Sequence, residues 1–431
     1  LQAASAASTK AQGSGLLLAQ ALHQQGYAYL RLGRPSEAIT AFEKERELCA
    51  AAGDKYGTAT AMHMLAMTQY YKGDFEAASR SFQDALRVFR SIGALEGVAS
   101  CSHNFAMLLH DQGNLQQARD YLETALRIQR DLKDERGVAA DLDDIGNVLL
   151  SLGDLPTAVS VKNQAVQAFH RLGNRMGEAI ALANLGEVLF AQGKLSTANQ
   201  KFEQSLALKQ QIGFQPGLGY AWMELAMVSM ERDRLADARA LTLRALTLRQ
   251  QLEDEFGTAQ SRLQLAKIAV EQGNTAEAES WARNAVAVFD KRKATDSSAM
   301  GYAVLSRILL AENHIREARE ASNQAMSLSQ KGGDREGRFQ ALLAAAAVQA
   351  ASGRSAEANQ FLQALDSEAT RYGYLGYELE SRLRWGELEI QSQPKSGRED
   401  LARVHHDAAA DGFLLIAGKA RTALRGGSSN P

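Results

Sequence analysis

Apolar residues in this chain recur at three- and four-residue steps, and small residues recur on a much longer period. Between Gly137 and Gly153, Leu142, Ile145, Leu149 and Leu152 fall on one face of a 3.6-residue helix. Gly153 ends that helix, because glycine accepts the left-handed conformation of the position just past a helix. Asp154 is placed to cap the next helix by accepting a bond from a free backbone N–H. Pro156 follows in its first turn, where a missing N–H costs little. The second helix runs to about Leu172, and Gly173 closes it. The unit is therefore helix A, a tight turn, helix B and a short loop.

The unit repeats every forty residues. A turn residue falls at Gly33, Gly73, Gly113, Gly153, Gly193, Asp233, Gly273, Asn313 and Gly353. An alanine falls in helix B at Ala38, Ala78, Ala118, Ala158, Ala198, Ala238, Ala278, Ala318 and Ala358. A fixed period in this range marks a repeat architecture. Helix A is expected to begin near Gly57, Gly97, Gly137, Gly177, Gly217 and Gly257, and it carries bulky–small pairs such as Leu65-Ala66 and Leu185-Gly186. Small residues at this spacing let a neighbouring helix approach closely. Pro35 and Pro156 fall at helix B starts, Pro216 in a loop and Pro394 after the last full helix A. The pattern predicts an all-α, right-handed α-solenoid: nine helix pairs over 16–371, a tenth helix A near 376–391, and two further helices near 399–409 and 413–424. The predicted domains are a flexible linker at 1–15, the solenoid at 16–391, a helical cap over the open end at 398–424 and a disordered tail at 425–431.

Composition narrows the function. A length of 431 residues would ordinarily mean two or three domains, but a stack grows by addition. Lys and Arg total 48 against 50 Asp and Glu, so no global field favours nucleic acid or an anionic membrane. Basic residues alternate with acidic ones and form no stripe for nucleic acid. No apolar run reaches the length of a spanning helix. Leu16 to Ala19 is too short for a signal core, and the chain does not begin with Met, which suggests a fragment or processed product. Cys49 and Cys101 read as small buried helix residues, and the compartment is not fixed by composition. No Gly-x-Ser-x-Gly, His-Glu-x-x-His or Cys-x-x-Cys occurs, and residues 12–17 lack the Lys-Ser/Thr of a phosphate loop. Neither an enzyme nor a cofactor is expected.

Leu185-Gly186 in helix A, with Ala158 and Ala165 in helix B, resembles the tetratricopeptide repeat. The stretches Leu172–Ala179 and Leu182–Gly186 are similar to its longer variant, found in Pins-like adaptors and bacterial signalling regulators. The segment from Leu401 to Ala420 resembles the end of repeat regions in bacterial signalling proteins. The resemblance implies a non-enzymatic scaffold that binds a protein or peptide, as the sensor or docking region of a bacterial signalling or regulatory protein. It also places helices A on the concave side. The candidate groove residues are then His63, Met67, Tyr70, His103, Met107, His110, Asp143, Asn147, Asn184, Glu187, Phe190, Met223, Met227 and Lys267. Asn104 and Asn184 match one asparagine position of the Pins-like ligand ladder and Asn147 the other, but the ladder is incomplete.

Two alternatives stay open. One is an architectural module that self-associates. The other is a metal-dependent enzyme using His63, His103 and His110, although no carboxylate or cysteine completes a recognised metal motif. His405-His406-Asp407 and Asp143-Asp144 are adjacent on their helices and so diverge, which favours a solvated helix face over an acid–base cluster.

Overall fold

The structure, a computed structural model, describes residues 15–426, and all twenty-one regular elements among them are α-helices. The A-type helices are α1 (Gly15–Arg31), α3 (Lys55–Lys72), α5 (Leu95–Asp111), α7 (Glu135–Leu152) and α9 (Arg175–Ala191). They continue as α11 (Gln215–Glu231), α13 (Glu255–Glu271), α15 (Thr295–Ala311), α17 (Arg335–Ala351) and α19 (Leu375–Ser392). The B-type helices are α2 (Pro35–Ala51), α4 (Phe75–Ser91), α6 (Leu115–Leu132), α8 (Leu155–Arg171) and α10 (Leu195–Gln211). They continue as α12 (Leu235–Gln251), α14 (Thr275–Lys291), α16 (Ile315–Ser329), α18 (Ser355–Tyr372) and α20 (Pro394–Asp411), before the final α21 (Leu414–Leu424). The linker expected at 1–15 lies outside the described residues except for Gly15, which opens α1, and 427–431 of the expected tail also lies outside them. No described helix is long and apolar enough to cross a membrane.

The repeat grammar holds at atomic level. All nine A-to-B turn residues, from Gly33 to Gly353, have positive φ, including Asp233 and Asn313. All nine alanines of the helix B series are fully buried. A second positive-φ series ends the B helices at Gly53, Gly93, Lys133, Gly173, Gly213, Glu253, Lys293 and Gly373. Asp154 caps α8 as anticipated, accepting from Thr157 N–H at 3.2 Å.

The glycines at 57, 97 and 177, expected near the start of helix A, lie in its first turn. Asp54 and Asn174 cap upstream of them, accepting from the N–H groups of Gly57 and Gly177 at 2.9 and 3.0 Å. These glycines are needed for space: a Cβ at Gly97 or Gly177 would run into the rings of Phe89 or Phe169 from the preceding helix B. Pro216 lies in the first turn of α11 rather than in a loop, since the first turn has N–H groups without intrahelical partners.

The residues fall into two compact units, 15–148 and 149–426 of those described. Unit one contains α1 to α6 and most of α7. Unit two contains the rest. Within unit two the stack curls until late hairpins meet early ones. Arg335 Nε donates to Ser151 O at 2.7 Å, the Arg335 guanidinium lies 3.4 Å from the centre of the Tyr372 ring, and Gly373 faces Leu155. α20 starts at Pro394, earlier than the expected 399, and packs on α19 through Gly386 and Leu401 as another hairpin. α21 packs on α20 and also turns inward. Its Ile416, Ala417 and Ala420 share an apolar cluster with Leu185, Phe202 and Leu225.

Candidate functional site

In unit one the helix A face is laced by bonds between neighbouring A helices. Asn104 Nδ2 donates to His63 Nε2 at 2.8 Å, and Tyr70 OH donates to Asp111. His103 Nδ1 donates to the buried Asp141 at 2.7 Å, and its Nε2 lies 3.5 Å from Asp144. His110 pairs with its own neighbour Asp111 at 3.5 Å, and Asn147 Nδ2 donates to Asp144 at 3.2 Å. Asp143 is buried. Met67 and Met107 remain half-buried between these polar groups.

The histidines thus act as struts. Burial, with the nearby charge of His103, pushes the His63 pKa down to about 4, which keeps it neutral and able to accept from Asn104. Burial opposes charge on His103, but the Asp141 hydrogen bond and the charges of Asp144 and Asp141 outweigh it and raise its pKa. Among the described residues no group of three or more His, Cys, Asp or Glu is arranged to hold a metal. His405 Nδ1 donates to Ala417 O at 2.9 Å and Asp407 accepts from Arg382 at 2.7 Å, so these two residues fasten α21 and α19 to α20, while His406 is exposed.

His63 supplies a pH test. Its folded pKa of about 4 lies below the unfolded 6.5, so its contribution is complete above 6.5 and is lost as pH falls towards 4. Denaturation at a series of pH values should show ~2 kcal/mol less of this loss in His63→Gln, the figure being discounted for partial solvent access. Equal slopes for both proteins would contradict the strut.

In unit two the A helices line a partly open chamber of about 140 Å³. Phe190, Met227 and Lys267 line it, as do Met230, Glu231, Glu271, Arg307, Glu336, Tyr377, Glu380 and Arg384. Phe413, Leu415, Ile416 and Lys419, at and within α21, form one wall. The remaining candidates do not line it: Glu187 is exposed, and Asn184 and Met223 are half-buried on the same helices.

Charge in the chamber is organised. Glu271 accepts from Arg307 at 3.0 Å and from Lys419 at 2.9 Å. Arg384 bridges Glu380 at 2.8 Å and Glu387 at 3.0 Å. Burial opposes ionisation of Glu380, but Lys419 and Arg384 outweigh it and hold the carboxyl at about 2. Glu231 and Glu336 behave oppositely. Burial, then repulsion from Glu380 for Glu231 and from Asp334 for Glu336, raises each to about 7. Burial lowers the Lys267 pKa. Gln340 Nε2 donates to Tyr377 OH at 3.1 Å, while its Oε1 has no partner. The lining contains no His, Cys or Ser; it presents carboxyl, amino, guanidinium, amide and phenol groups among apolar side chains.

Sequence reasoning found Met227 and Lys267 in the inward register but missed Glu231 and Glu271, which lie four residues on from them. Their shared register, one repeat apart, was the available signal. α21 carried none.

Comparison with known proteins agrees with this architecture. The MalT-like TPR region family matches residues 144–297, and the tetratricopeptide repeat family matches 17–91 and 97–169. The apo form of the quorum sensor NprR from B. thuringiensis superposes with a TM-score of 0.56 at 16% identity, covering 73% of this chain and 88% of that one. Apo RapI gives 0.53 at 12% identity, covering 63% of this chain and 98% of its own. A Rap protein complexed with Competence and Sporulation Factor gives 0.50 at 15% identity, covering 72% and 88%. At these identities the likeness concerns the fold. Among curated proteins no relative matches the sequence. With its forty-residue helix hairpins, left-handed turn residues and buried alanine series, the chain belongs to the tetratricopeptide-repeat family.

Proposed function

We propose that this chain is a recognition module without catalytic chemistry of its own, the sensor or docking region of a bacterial signalling or regulatory protein. Its ligand is a protein or peptide, taken in helical form against a wall of A helices. The observation that carries this reading is α21. A short helix of the chain itself lies on the A-helix side of unit two, with Ile416 in the cluster of Leu185 and Leu225 and Lys419 on Glu271. A wall that takes an amphipathic helix in cis has the shape to take one in trans. Unit one presents a wall of its own A helices, with Met67 and Met107 partly open among polar groups already bonded to each other. Methionine adapts its shape to varied apolar partners. The Rap protein of similar fold that was solved complexed with Competence and Sporulation Factor is consistent with ligand capture by such a stack.

The test is affinity capture with the full chain from its source cells, comparing wild type with Met67→Glu/Met107→Glu. A defined partner should be lost by about tenfold or more, with the helical circular dichroism unchanged. Identical partners for both proteins would reject the reading. So would a mass that rises with concentration in light scattering with no partner retained, which would favour self-association instead.

A further inference from the structure

The charged groups of the unit-two chamber divide in two. Glu271, Arg307, Lys419, Glu380 and Arg384 complete one another. Lys267, Glu231 and Glu336 feel the charges of that network and of one another but form no ion pair with it. The Lys267 ammonium reaches only the Met300 sulfur, at 3.4 Å, and among the described residues it has no ion pair. Neither Glu231 nor Glu336 meets a cation within ion-pair distance among those residues. All three line the void.

Unpaired charge in an interior is unfavourable until a counter-charge arrives. Here both signs face one void and attract one another across it without forming an ion pair. A simple cation would add to the positive charge of Lys267, and a simple anion to the negative charge of Glu231 and Glu336. A molecule carrying both charges answers both. Size sets the second limit. The void of about 140 Å³ is close to the ~150 Å³ cavity that holds a benzene-sized molecule. The third limit is the apolar lining of Phe190, Met227 and Met230, which suits a hydrocarbon group.

We infer that this chamber binds a small free amino acid with an apolar side chain, its carboxylate directed to Lys267 and its ammonium to Glu231 and Glu336. Burial already disfavours ionisation of both carboxyls, and an arriving ammonium reverses that balance. The inference rests on the reading of the chain as a recognition module, but it concerns a chamber in unit two, not the methionine wall of unit one.

The test uses the full chain in isothermal titration with L-leucine, L-isoleucine, L-methionine and L-phenylalanine, each alone. The controls are N-acetyl-L-leucine, which lacks the ammonium, and L-leucinamide, which lacks the carboxylate. At least one free amino acid should bind, and both derivatives should bind more weakly by about tenfold or more. Lys267→Met and Glu336→Gln should each weaken binding by a similar factor. Met67→Glu/Met107→Glu should bind like wild type, so loss of partner capture and loss of amino-acid binding are read separately. Absence of binding by all four amino acids would overturn the inference. So would derivatives that bind as tightly as the free forms, or a Lys267→Met protein of unchanged affinity. The derivative controls need only wild-type protein, so the test survives a variant that fails to fold.

Discussion

Truncating Phe202 to alanine is expected to destabilise unit two by about 3–5 kcal/mol, the usual cost of an aromatic deletion that leaves a cavity. Phe202 is 1% exposed and belongs to the cluster of Leu185, Leu225, Leu379 and Leu383. The cluster joins early and late hairpins, so the loss should spread to both. Gly186 faces the ring so closely that a Cβ there would collide with it. Gly186→Ala alone should therefore overpack and cost about 1–3 kcal/mol. In the Phe202→Ala background the added methyl enters the vacated space, and its cost should vanish or reverse sign. Chemical denaturation of the four proteins measures that coupling. Hydrogen exchange should place the loss in α9–α11 and α19–α21, because a stack transmits stability mainly between contacting hairpins. Strict additivity of the two substitutions would contradict this packing.

Replacing Glu271 with glutamine is expected to cost about 3 kcal/mol, because it takes the hydrogen-bonded carboxylate from two buried cations and leaves them the more distant charge of Glu380. The Glu271 side chain is 3% exposed, and those of Arg307 and Lys419 are 14% and 10% exposed. The charge of Lys419 is the strongest influence holding the Glu271 carboxyl below its usual range against its own burial. Lys419 is also the ionic tie between α21 and the wall, so amide exchange across Leu414–Leu424 should accelerate in Glu271→Gln. Adding Lys419→Met removes one of the stranded cations and should recover part of the stability. A Glu271→Gln protein within ~0.5 kcal/mol of wild type would show that the triad does not hold the chamber together.

Much of the fold was legible because its signals are local. A turn that must adopt positive φ selects glycine or asparagine, and a helix that must approach another selects alanine, so both left a forty-residue trace. The second turn series was harder to see, because Lys133, Glu253 and Lys293 occupy left-handed positions that glycine fills elsewhere. The glycines at 97 and 177 were read as helix starts, whereas their role is to admit Phe89 and Phe169 from a helix below. That role depends on a contact and has no local signature.

The site was legible only in part, for the same reason. The helix A register identified Phe190, Met227 and Lys267 as one face. It did not distinguish an open wall from a partly open chamber, and it did not single out Glu231 or Glu271. His63, Tyr70 and His103 carry the chemistry expected of ligand contacts, yet each is already bonded to a neighbouring repeat. Partners some forty residues away are invisible to spacing rules that act within one helix.

Sequence alone determined the helices, their pairing into hairpins and the residue at almost every A-to-B turn, because each repeat reports the same short-range sterics and burial. Tertiary structure alone decided that unit two curls far enough for Arg335 to reach Ser151 and for Lys419 to reach Glu271, contacts separated by 184 and 148 positions. Small rotations between successive hairpins accumulate into that closure. No single repeat encodes their sum, so the chamber and its facing charges exist only in the assembled curve.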